Sequence, residues 1–386
     1  MTKSRRDARS WSARAAVAGL TAVMFLSACG SSRPAAIPTT TTTSTLPPLP
    51  PNLLAYVTLA GSGASLGSGS SLVEVTVAPG PESVGSPIAT GVYPDAVAVA
   101  PDGRLALVAN YSSDTVTPIL LPSNKALPAI NAGSGPADVA IAPDGKTAYV
   151  TDAGSDTVTP INLKTLKPGT PFVVGAGPQG IAITPDGTRA YVADAGAILS
   201  GQTGTIGHDV TPIDLSTGKV LPPIPVGNAP IGVAVSPDGS TVFVTNANSE
   251  SVTPITVATD AAGFGISTAG GPVAVAVADG AAWVINTPAG RLAGNNVQPI
   301  SLTSNTAGTP IALPKGAQNI AIAPSGVTAW VVCLNSDKLV PVNLATRRAG
   351  APVTVPGGPF AVAVAYQPRG PTPAPSATST AKKSKS

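Results

Sequence analysis

Short polar residues recur at one position of this sequence, each three residues after a large side chain in a predicted strand. They are Asn110, Asp152, Asp194, Asn246 and Asn286, while Leu59 and Cys333 occupy the same position in two further strands. Such side chains can bind a ligand or cation, or they can hold the turn that follows by bonding its backbone N–H groups. The sequence leaves both interpretations open.

The sequence contains few of the other side chains that commonly carry out catalysis or bind metals. The 386 residues include one histidine, His208, two cysteines, two methionines and three glutamates. These counts argue against His/Cys metal clusters and His-based triads. Two oxygen-rich loops, 152–156 and 246–250, do not have the spacing of an EF-hand. We therefore expect no metal and no cofactor, while a hydrolase that uses carboxylates remains open.

The polar positions belong to a repeat that is clearest in residues 136–163. A buried apolar strand at 139–142 is followed by the turn Pro143-Asp144-Gly145, a second strand at 148–151, a polar loop and a third strand at 157–161. A fourth strand is predicted at 171–174. The opening proline recurs at spacings of 42, 42, 52, 42, 46 and 41, with Gln318 taken as its substitute once.

A period in the low forties with four strands is typical of a β-propeller blade. Six full units begin at residues 94, 136, 178, 230, 272 and 318. Residues 53–90 supply strands two to four of another unit, and residues 359–366 supply its first strand. The sequence thus predicts an all-β, seven-bladed propeller whose ring is closed by pairing of the N- and C-terminal strands.

The pattern Pro-x-x-Val-Ala-Val-x-Pro-Asp-Gly, followed by Ala-Tyr-Val-x-Asn/Asp and Thr-Val, resembles the YVTN-type propeller repeat of prokaryotic surface and secreted proteins. The resemblance covers roughly residues 53–366. One departure is a proline in the third strand, where a ladder normally excludes it. We interpret it as a bulge at Pro118, Pro160, Pro212, Pro254, Pro299 and Pro341.

The N-terminal segment has the features of a bacterial lipoprotein signal. A positively charged stretch up to Arg14 precedes the apolar run 15–26, which is too short to span a membrane stably. Leu26-Ser27-Ala28-Cys29 then looks like a lipobox, in which the cysteine is acylated and becomes the mature N-terminus. We expect residues 1–28 to be a signal peptide and the mature protein to be a lipoprotein on the outer face of a bacterial membrane. An ordinary signal peptide is the alternative.

Two low-complexity segments flank the propeller of residues 53–367. Residues 29–52 are rich in Thr and Pro and predict an extended spacer, and residues 368–386 predict a disordered Pro/Ala/Ser/Lys tail. The whole chain has a net charge of +3, but residues 53–367 hold 12 Lys/Arg and 18 Asp/Glu, which gives −6. We therefore expect no nucleic-acid partner for the folded part.

The connection between the second and third strands is the variable one. It is six residues long from Asp152 to Val158, but sixteen from Asp194 to Val210 and eleven from Asn286 to Val297. Insertions confined to one face of a repeat protein often mark its binding face. The candidate ligand-binding residues on that face are Asp194, His208, Asp209, Asn286, Arg291 and Asn295.

From these features we expect a membrane-anchored, non-catalytic propeller that binds a protein, peptide or glycan. One alternative is a carboxylate-dependent hydrolase similar to the lactonase propellers, and another is a purely structural envelope protein. Three or more Asp/Glu converging with Arg at the channel mouth would favour the enzyme. A mouth lined by Val, Ala and amides would favour binding or structure.

Overall fold

The computed structural model describes residues 52–61, 69–78, 82–196, 205–287 and 295–367. They form seven antiparallel sheets, and the first strand of each sheet contacts the first strands of the two neighbouring sheets around a closed ring. This is the predicted seven-bladed propeller. Blades 1 to 6 span residues 94–131, 136–173, 178–225, 230–267, 271–312 and 317–354, and blade 7 combines 53–89 with 359–366.

Each blade has three long strands. In the order of blades 1 to 7, the first strands, which surround the channel, are Pro94–Val99, Pro136–Ile141, Pro178–Ile183, Pro230–Val235, Gly271–Ala278, Ala317–Ile322 and Pro359–Tyr366. The second strands are Leu105–Asn110, Thr147–Asp152, Arg189–Gly196, Thr241–Asn246, Ala281–Thr287, Thr328–Cys333 and Leu53–Leu59. The third strands are Thr115–Leu120, Thr157–Asn162, Ile206–Asp214, Ser251–Thr256, Asn296–Ser301, Lys338–Asn343 and Ser71–Ala78.

The fourth, outer strand is split into two-residue segments that pair with opposite ends of the third strand. In blades 1 to 4 the pairs are Lys125–Ala126 with Ile130–Asn131, Lys167–Pro168 with Phe172–Val173, Lys219–Val220 with Ile224–Pro225, and Ala261–Ala262 with Ile266–Ser267. Blade 5 has the single segment Ile311–Ala312. In blades 6 and 7 the pairs are Arg348–Ala349 with Val353–Thr354 and Ser83–Val84 with Ile88–Ala89. The described helices are three 3-10 turns, Tyr111–Ser113, Ala247–Ser249 and Leu334–Ser336. None of these is long and apolar enough to cross a membrane.

The third-strand prolines lie where the outer strand is interrupted. The carbonyl of Pro160 accepts a hydrogen bond from the backbone N–H of Gly169 at 2.7 Å, and the other five prolines have an equivalent bond at 2.7–2.9 Å. In an antiparallel ladder the N–H and C=O of one residue point to the same side. The missing N–H of Pro160 therefore faces the gap between Lys167–Pro168 and Phe172–Val173, where it breaks no ladder bond.

A bulge lies opposite these prolines, in the outer strand. Ile161 lies three residues after Val158, but its partner Pro168 lies four residues before Phe172, the partner of Val158. The pairing shifts by one residue in the same way across the other five prolines. Pairing between the second and third strands runs without a register shift through Tyr149↔Pro160 and through the equivalent pairs of the other blades.

One correction concerns blade 6. Ala317 pairs with Cys333 as Pro136 pairs with Asp152, so Ala317, and not Gln318, replaces the repeated proline.

Large second-strand side chains pack between neighbouring blades. Tyr56, Leu107, Tyr191, Phe243, Trp283 and Trp330 are buried, and Tyr149 is half-buried against Phe172. Burying an apolar side chain of this size contributes about 1.5–3 kcal/mol. At the opposite end of the blades the Pro-Asp-Gly turns reverse the chain, for example through Gly145 at φ +67°, a value that favours glycine. The blades are therefore held together by these inter-blade contacts and by closure of the ring.

The two ends of the propeller sequence close the ring. Leu53–Leu59 pairs on one side with Ser71–Ala78 and on the other with Pro359–Tyr366, from Leu53↔Tyr366 to Leu59↔Pro359. Next to this pairing, the N–H of Gln367 donates to the carbonyl of Asn52 at 2.8 Å. The predicted pairing of the N- and C-terminal strands is confirmed.

Deleting residues 359–386 should remove one partner of Leu53–Leu59 and expose its N–H and C=O groups to other molecules. We expect loss of the cooperative thermal transition and aggregation in size-exclusion chromatography. Deletion of residues 368–386 is the control, since it leaves every described strand intact and should change the melting temperature by less than about 2 °C. A monomeric protein ending at residue 358 with the melting temperature of the full chain would contradict this closure.

Candidate functional site

A cavity of about 480 Å³ occupies the end of the channel where the first strands begin. Its lining comes mainly from two positions of the repeat. The residues directly after the repeated proline or its Ala317 substitute are Asp95, Ala137, Gln179, Ile231, Val273, Gln318 and Phe360. The next residues are Ala96, Asp138, Gly180, Gly232, Ala274 and Asn319. Most of these side chains are small or apolar, so the few polar ones determine the chemistry of the cavity.

Asp138 is the carboxylate most strongly fixed by its surroundings. Its Oδ1 accepts a hydrogen bond from the N–H of Val139 at 2.8 Å, and its Oδ2 accepts one from the N–H of Ile181 in the next blade at 3.0 Å. Its own N–H donates to Oγ1 of Thr151 at 2.9 Å. Asp138 is half-buried and lines the cavity. Burial raises the pKa of Asp138 to about 6, although the two backbone N–H donors lower it.

Blade 6 repeats part of this arrangement with an amide. Oδ1 of Asn319, at the position equivalent to Asp138, accepts a hydrogen bond from the N–H of Val362 in the next blade at 3.4 Å. The side chain at this position thus links adjacent first strands in two places around the channel. In Asp138 the same link also fixes a carboxyl group that can exchange a proton near neutral pH.

Three aromatic side chains form one side of the cavity, called the aromatic wall below: Tyr93, Tyr111 and Phe360. The ring of Tyr93 lies 5.8 Å from that of Tyr111, nearly perpendicular to it at 78°, and 5.5 Å from that of Phe360 at 59°. Asp95 lies two residues after Tyr93 and lines the same cavity. The wall contains residues of blades 1 and 7, next to the closure of the ring.

Tyr93 has a left-handed backbone conformation, with φ +55°. It directly precedes the repeated proline, where four other blades have a glycine at positive φ: Gly135, Gly177, Gly316 and Gly358. A bulky L-residue is rare there because its Cβ approaches the backbone, at a cost of about 1–2 kcal/mol. The fold therefore tolerates strain to keep this ring at the cavity.

The recurring polar residues do not form a ring that faces this cavity. Asp152 is fully buried, and its Oδ2 accepts hydrogen bonds from the hydroxyls of Thr157 and Thr159 at 3.1 and 2.6 Å. Asn110 is equally buried and donates to Thr115 and Thr117 at 3.2 and 2.9 Å. These residues join the end of the second strand to the third through threonine hydroxyls. The turn-holding interpretation predicts bonds to the backbone N–H groups of the turn instead.

Two of the predicted ligand-binding residues belong to that buried set. Asp194 is 3% exposed and accepts a hydrogen bond from the hydroxyl of Thr211 at 2.6 Å. Burial, with a contribution from the nearby Asp209, raises the pKa of Asp194 to about 7. Asn286 is fully buried and donates to Oδ1 of Asn296 at 2.9 Å and to Oε1 of Gln298 at 3.0 Å. Neither lines the cavity.

The other four predicted residues lie on the longer connections. His208 and Asp209 follow one another at the start of a third strand, with Nε2 of His208 3.7 Å from Oδ2 of Asp209 and both side chains open to solvent. Asn295 is exposed in blade 5, and Arg291 lies outside the described residues. None of the three that the structure describes lines the cavity, and binding at this set stays a prediction.

The acidic residue that ends the 2–3 loop has a structural role. Asp156 is left-handed at φ +56°, and its Oδ1 accepts the N–H of Gly177 in the next blade at 2.8 Å. Asp114 and Asp337 do the same for Gly135 and Gly358 at 2.8 and 3.0 Å. In the part of the chain that the structure describes, no three His, Cys, Asp or Glu side chains come together as a candidate metal site.

Cys333 is fully buried in the core, and burial raises the pKa of its thiol to about 12. A thiol with so high a pKa is a poor nucleophile, and Cys333 packs as a small apolar residue of the core. Cys29 lies outside the described residues.

The pattern shared by the repeats does not single out Tyr93, Asp95, Asp138 or Gln179. All four lie within two residues of a repeated proline, at positions where the repeats differ from one another. The available signal was this difference between repeats: at Tyr93 an aromatic ring where the other blades have Gly or Ala, and at Asp138 a carboxylate where they have Ala, Gly or Asn. These exceptions converge because equivalent positions of all blades meet at the axis.

Comparison with protein-family models matches residues 75–259 to the lactonase family of seven-bladed β-propellers. The match covers less than half of the chain and includes Asp95, Asp138 and Gln179. It names the lactonase propellers and not the YVTN-type repeat, which stays a prediction. A comparison with curated proteins finds no match.

Several solved structures share the fold. A Bacteroides fragilis protein to which 6-phosphogluconolactonase activity is attributed is 14% identical, with TM-score 0.66 over 81% of this chain and 98% of that one. A functionally unknown protein from Desulfotomaculum acetoxidans is 15% identical, with TM-score 0.65 over 81% and 99%. Hydrazine synthase of Kuenenia stuttgartiensis is 20% identical, with TM-score 0.59 over 69% and 88%. At these identities the likeness establishes the fold alone.

The expectation of a non-catalytic protein is therefore wrong. It is overturned by the match to the lactonase family model. The expectation rested on the scarcity of His, Cys and Glu and on a threshold of three carboxylates with an Arg. The cavity contains two carboxylates, Asp95 and Asp138, and no Arg among its described lining residues. One half-buried carboxylate with a raised pKa is sufficient for general-base chemistry, so the threshold was too strict.

The buried Asp152 and Asp194 predict a pH dependence of stability. Burial raises the pKa of Asp152 to about 6 and that of Asp194 to about 7, both above the unfolded value of about 3.9. The folded state therefore binds more protons than the unfolded state between about pH 4 and 7, and the free energy of unfolding falls as pH rises through this range.

Asp152→Asn should stabilise the protein at pH 8 by about 1–2 kcal/mol, because its amide can donate to Thr157 and Thr159 as Asn110 does to its threonines. Thermal melts of the parent and the variant at pH 5 and pH 8 measure this. The difference between the melting temperatures at the two pH values should be smaller in the variant than in the parent. The reciprocal control, Asn110→Asp, should lower stability at pH 8 and widen the gap. An Asp152→Asn protein that is less stable than the parent at pH 8 would refute the argument.

Proposed function

We propose that this chain is a hydrolase of the lactonase type, which opens a cyclic ester in the central cavity with Asp138 as general base. The observation that carries the proposal is the carboxyl of Asp138, held towards the cavity by two backbone N–H groups and with its pKa raised to about 6. The family match supports it, since residues 75–259 include this blade. A base with a pKa near the working pH is both deprotonated and able to accept a proton efficiently.

The chemistry requires few groups. Asp138 takes a proton from a water molecule as the water oxygen attacks the lactone carbonyl carbon. The negative charge that develops on the carbonyl oxygen needs a hydrogen-bond donor, which the amide of Gln179, on the next blade of the same cavity, can supply. The ring C–O bond then breaks, and the leaving alkoxide recovers the proton from Asp138. Lactone and water thus give a hydroxy acid, and Asp138 returns to its carboxylate form.

The enclosed position of Asp138 fits this role better than the exposed carboxylates do. Asp144 and Asp238, in the turns at the other end of the blades, bond their own turns, which lowers the pKa of each. A carboxylate stabilised in this way is a weaker base. Asp138 has the same side chain as Asp144 and Asp238, so its greater basicity comes from its surroundings.

The test is hydrolysis of a panel of uncharged γ- and δ-lactones, followed by acid release in a pH-stat and corrected for the rate in buffer. We expect kcat/KM to rise with pH and to reach half its plateau near pH 6, because only the carboxylate form of Asp138 accepts a proton. Asp138→Asn should lower kcat at least about 10²-fold, the usual contribution of a general base.

Asp144→Asn, on the opposite face, is the matched control and should keep the parent rate. Asp138→Asn is expected to fold, since Asn319 occupies the equivalent position in blade 6, and a thermal melt will verify this. Full activity of Asp138→Asn would remove it from the mechanism. No rate above buffer for any lactone of the panel would overturn the proposed function.

We also propose that the enzyme is attached outside the membrane by acylation of Cys29. This proposal is supported by the sequence alone: a positively charged stretch, the apolar run 15–26 and Leu26-Ser27-Ala28-Cys29. Mass spectrometry of the mature N-terminal peptide should find an acylated cysteine at position 29, and Cys29→Ala should release the protein from the membrane fraction or leave it unprocessed. Residues 1–28 still attached to the mature protein would contradict it.

A further inference from the structure

We propose that the aromatic wall, together with Asp95, binds an organic cation of the quaternary ammonium type. The wall brings three ring systems from two blades to one side of a cavity whose charged groups are carboxylates. This combination of ring faces and negative charge favours a weakly hydrated cation.

The rings are placed to contact a ligand. Tyr93, Tyr111 and Phe360 are each half-buried, and each lines the cavity, so that part of every ring faces it. Tyr93 packs against both of the others, with ring centroids 5.8 and 5.5 Å away, and this contact fixes its orientation. Because an aromatic ring carries negative potential on its face, adjacent rings at steep mutual angles present both faces and edges to a ligand. An alkylated ammonium group matches such a surface in shape and in charge.

The charge of the cavity points to the same ligand. The described lining residues include Asp95 and Asp138 and contain no Lys, Arg or His. In a partly enclosed site the effective dielectric constant is lower than in water, so these carboxylates attract a cation and repel a phosphate or carboxylate more strongly than they would on the surface. An anionic ligand would meet two like charges in this cavity.

The backbone of Tyr93 supplies an independent observation. Its φ of +55° places a bulky residue where Gly135, Gly177, Gly316 and Gly358 occupy the equivalent position. Replacing Tyr93 by glycine would relieve this strain but would also remove the contacts of its ring with Tyr111 and Phe360. Strained residues that line a cavity are frequent at ligand sites, where the strain serves recognition.

The cation would be one end of the substrate. A cavity of about 480 Å³ is much larger than a trimethylammonium group and leaves room for a second moiety beside Asp138. Assigning the cation to the ester substrate rests on the proposed hydrolase function, whereas binding of the cation does not. The substrate class that follows is a lactone with an alkylated ammonium substituent, and phosphorylated lactones are disfavoured.

Binding can be tested by isothermal titration calorimetry of the full chain with three ligands of nearly the same shape: choline, the neutral 3,3-dimethylbutan-1-ol and the anionic 3,3-dimethylbutanoate. We expect choline to bind at least about 10-fold more tightly than the neutral compound and the anion not to bind measurably. Equal affinity for choline and its neutral isostere would overturn the proposal, and so would preference for the anion.

Substitutions in the aromatic wall and at Asp95 test whether choline binds there. Tyr93→Gly should weaken choline binding at least about 10-fold in a protein that still melts cooperatively, and Tyr93→Phe should retain binding. Asp95→Asn should reduce the preference for choline over the neutral isostere. Ala229→Gly is the matched control, because Ala229 is the non-glycine residue at the equivalent left-handed position of blade 4, with φ +52°, and does not line the cavity. It should leave binding unchanged.

The outcomes separate the two proposals. Choline binding that depends on Tyr93, with no lactone hydrolysed, would leave this inference intact and remove the hydrolase. Hydrolysis that depends on Asp138, with no discrimination between choline and its neutral isostere, would do the reverse. Retention of choline affinity by Tyr93→Gly would overturn the assignment to the aromatic wall in either case.

Discussion

The antiparallel pairing of Leu53–Leu59 with Pro359–Tyr366 is the interaction on which the rest of this structure depends. It makes the seven sheets a closed ring, and closure fixes the distance of every first strand from the axis. The residues at the start of each first strand then line the channel, and neighbouring first strands lie close enough for Asp138 and Asn319 to bond the backbone of the next blade. The cavity and its chemistry are consequences of this geometry.

Polar groups hold the fold in two different environments. At the ends of the second strands, side chains such as Asn110 and Asp152 are fully enclosed and bond hydroxyl groups of their own blade. At the channel, Asp138 bonds backbone N–H groups but keeps one side open to the cavity. The same residue type is therefore inert in one place and available for proton transfer in the other, and solvent access makes the difference.

The architecture was readable from the sequence because each blade repeats its strands, turns and large second-strand residues in register. The number of blades, the strand order and the split blade 7 follow from that register. The interruption of the outer strand could not be read, since Pro160 shows only that a ladder bond is missing and not which neighbour would have made it. The sequence also could not show that Ala317, rather than Gln318, replaces the repeated proline in blade 6. The two residues are adjacent, and only the pairing of Ala317 with Cys333 decides between them. The cavity residues were missed because they are exceptions to the repeat. Tyr93, Asp95 and Asp138 look like random departures from the pattern along the chain, but the fold brings them together at one cavity.

Because Phe360 lies near the end of the propeller sequence, the aromatic wall is completed late in synthesis of the chain. Phe360 lies in the last strand of the chain that the structure describes, whereas Tyr93 directly precedes blade 1 and Tyr111 lies within it. A ribosome therefore makes two members of the aromatic wall early and the third only after almost all of the propeller has been synthesised. Until the final strand joins the ring, the wall has no third ring and the cavity has an open side. The nascent or unfolded chain thus lacks the complete aromatic wall, which forms only when the last strand is in place.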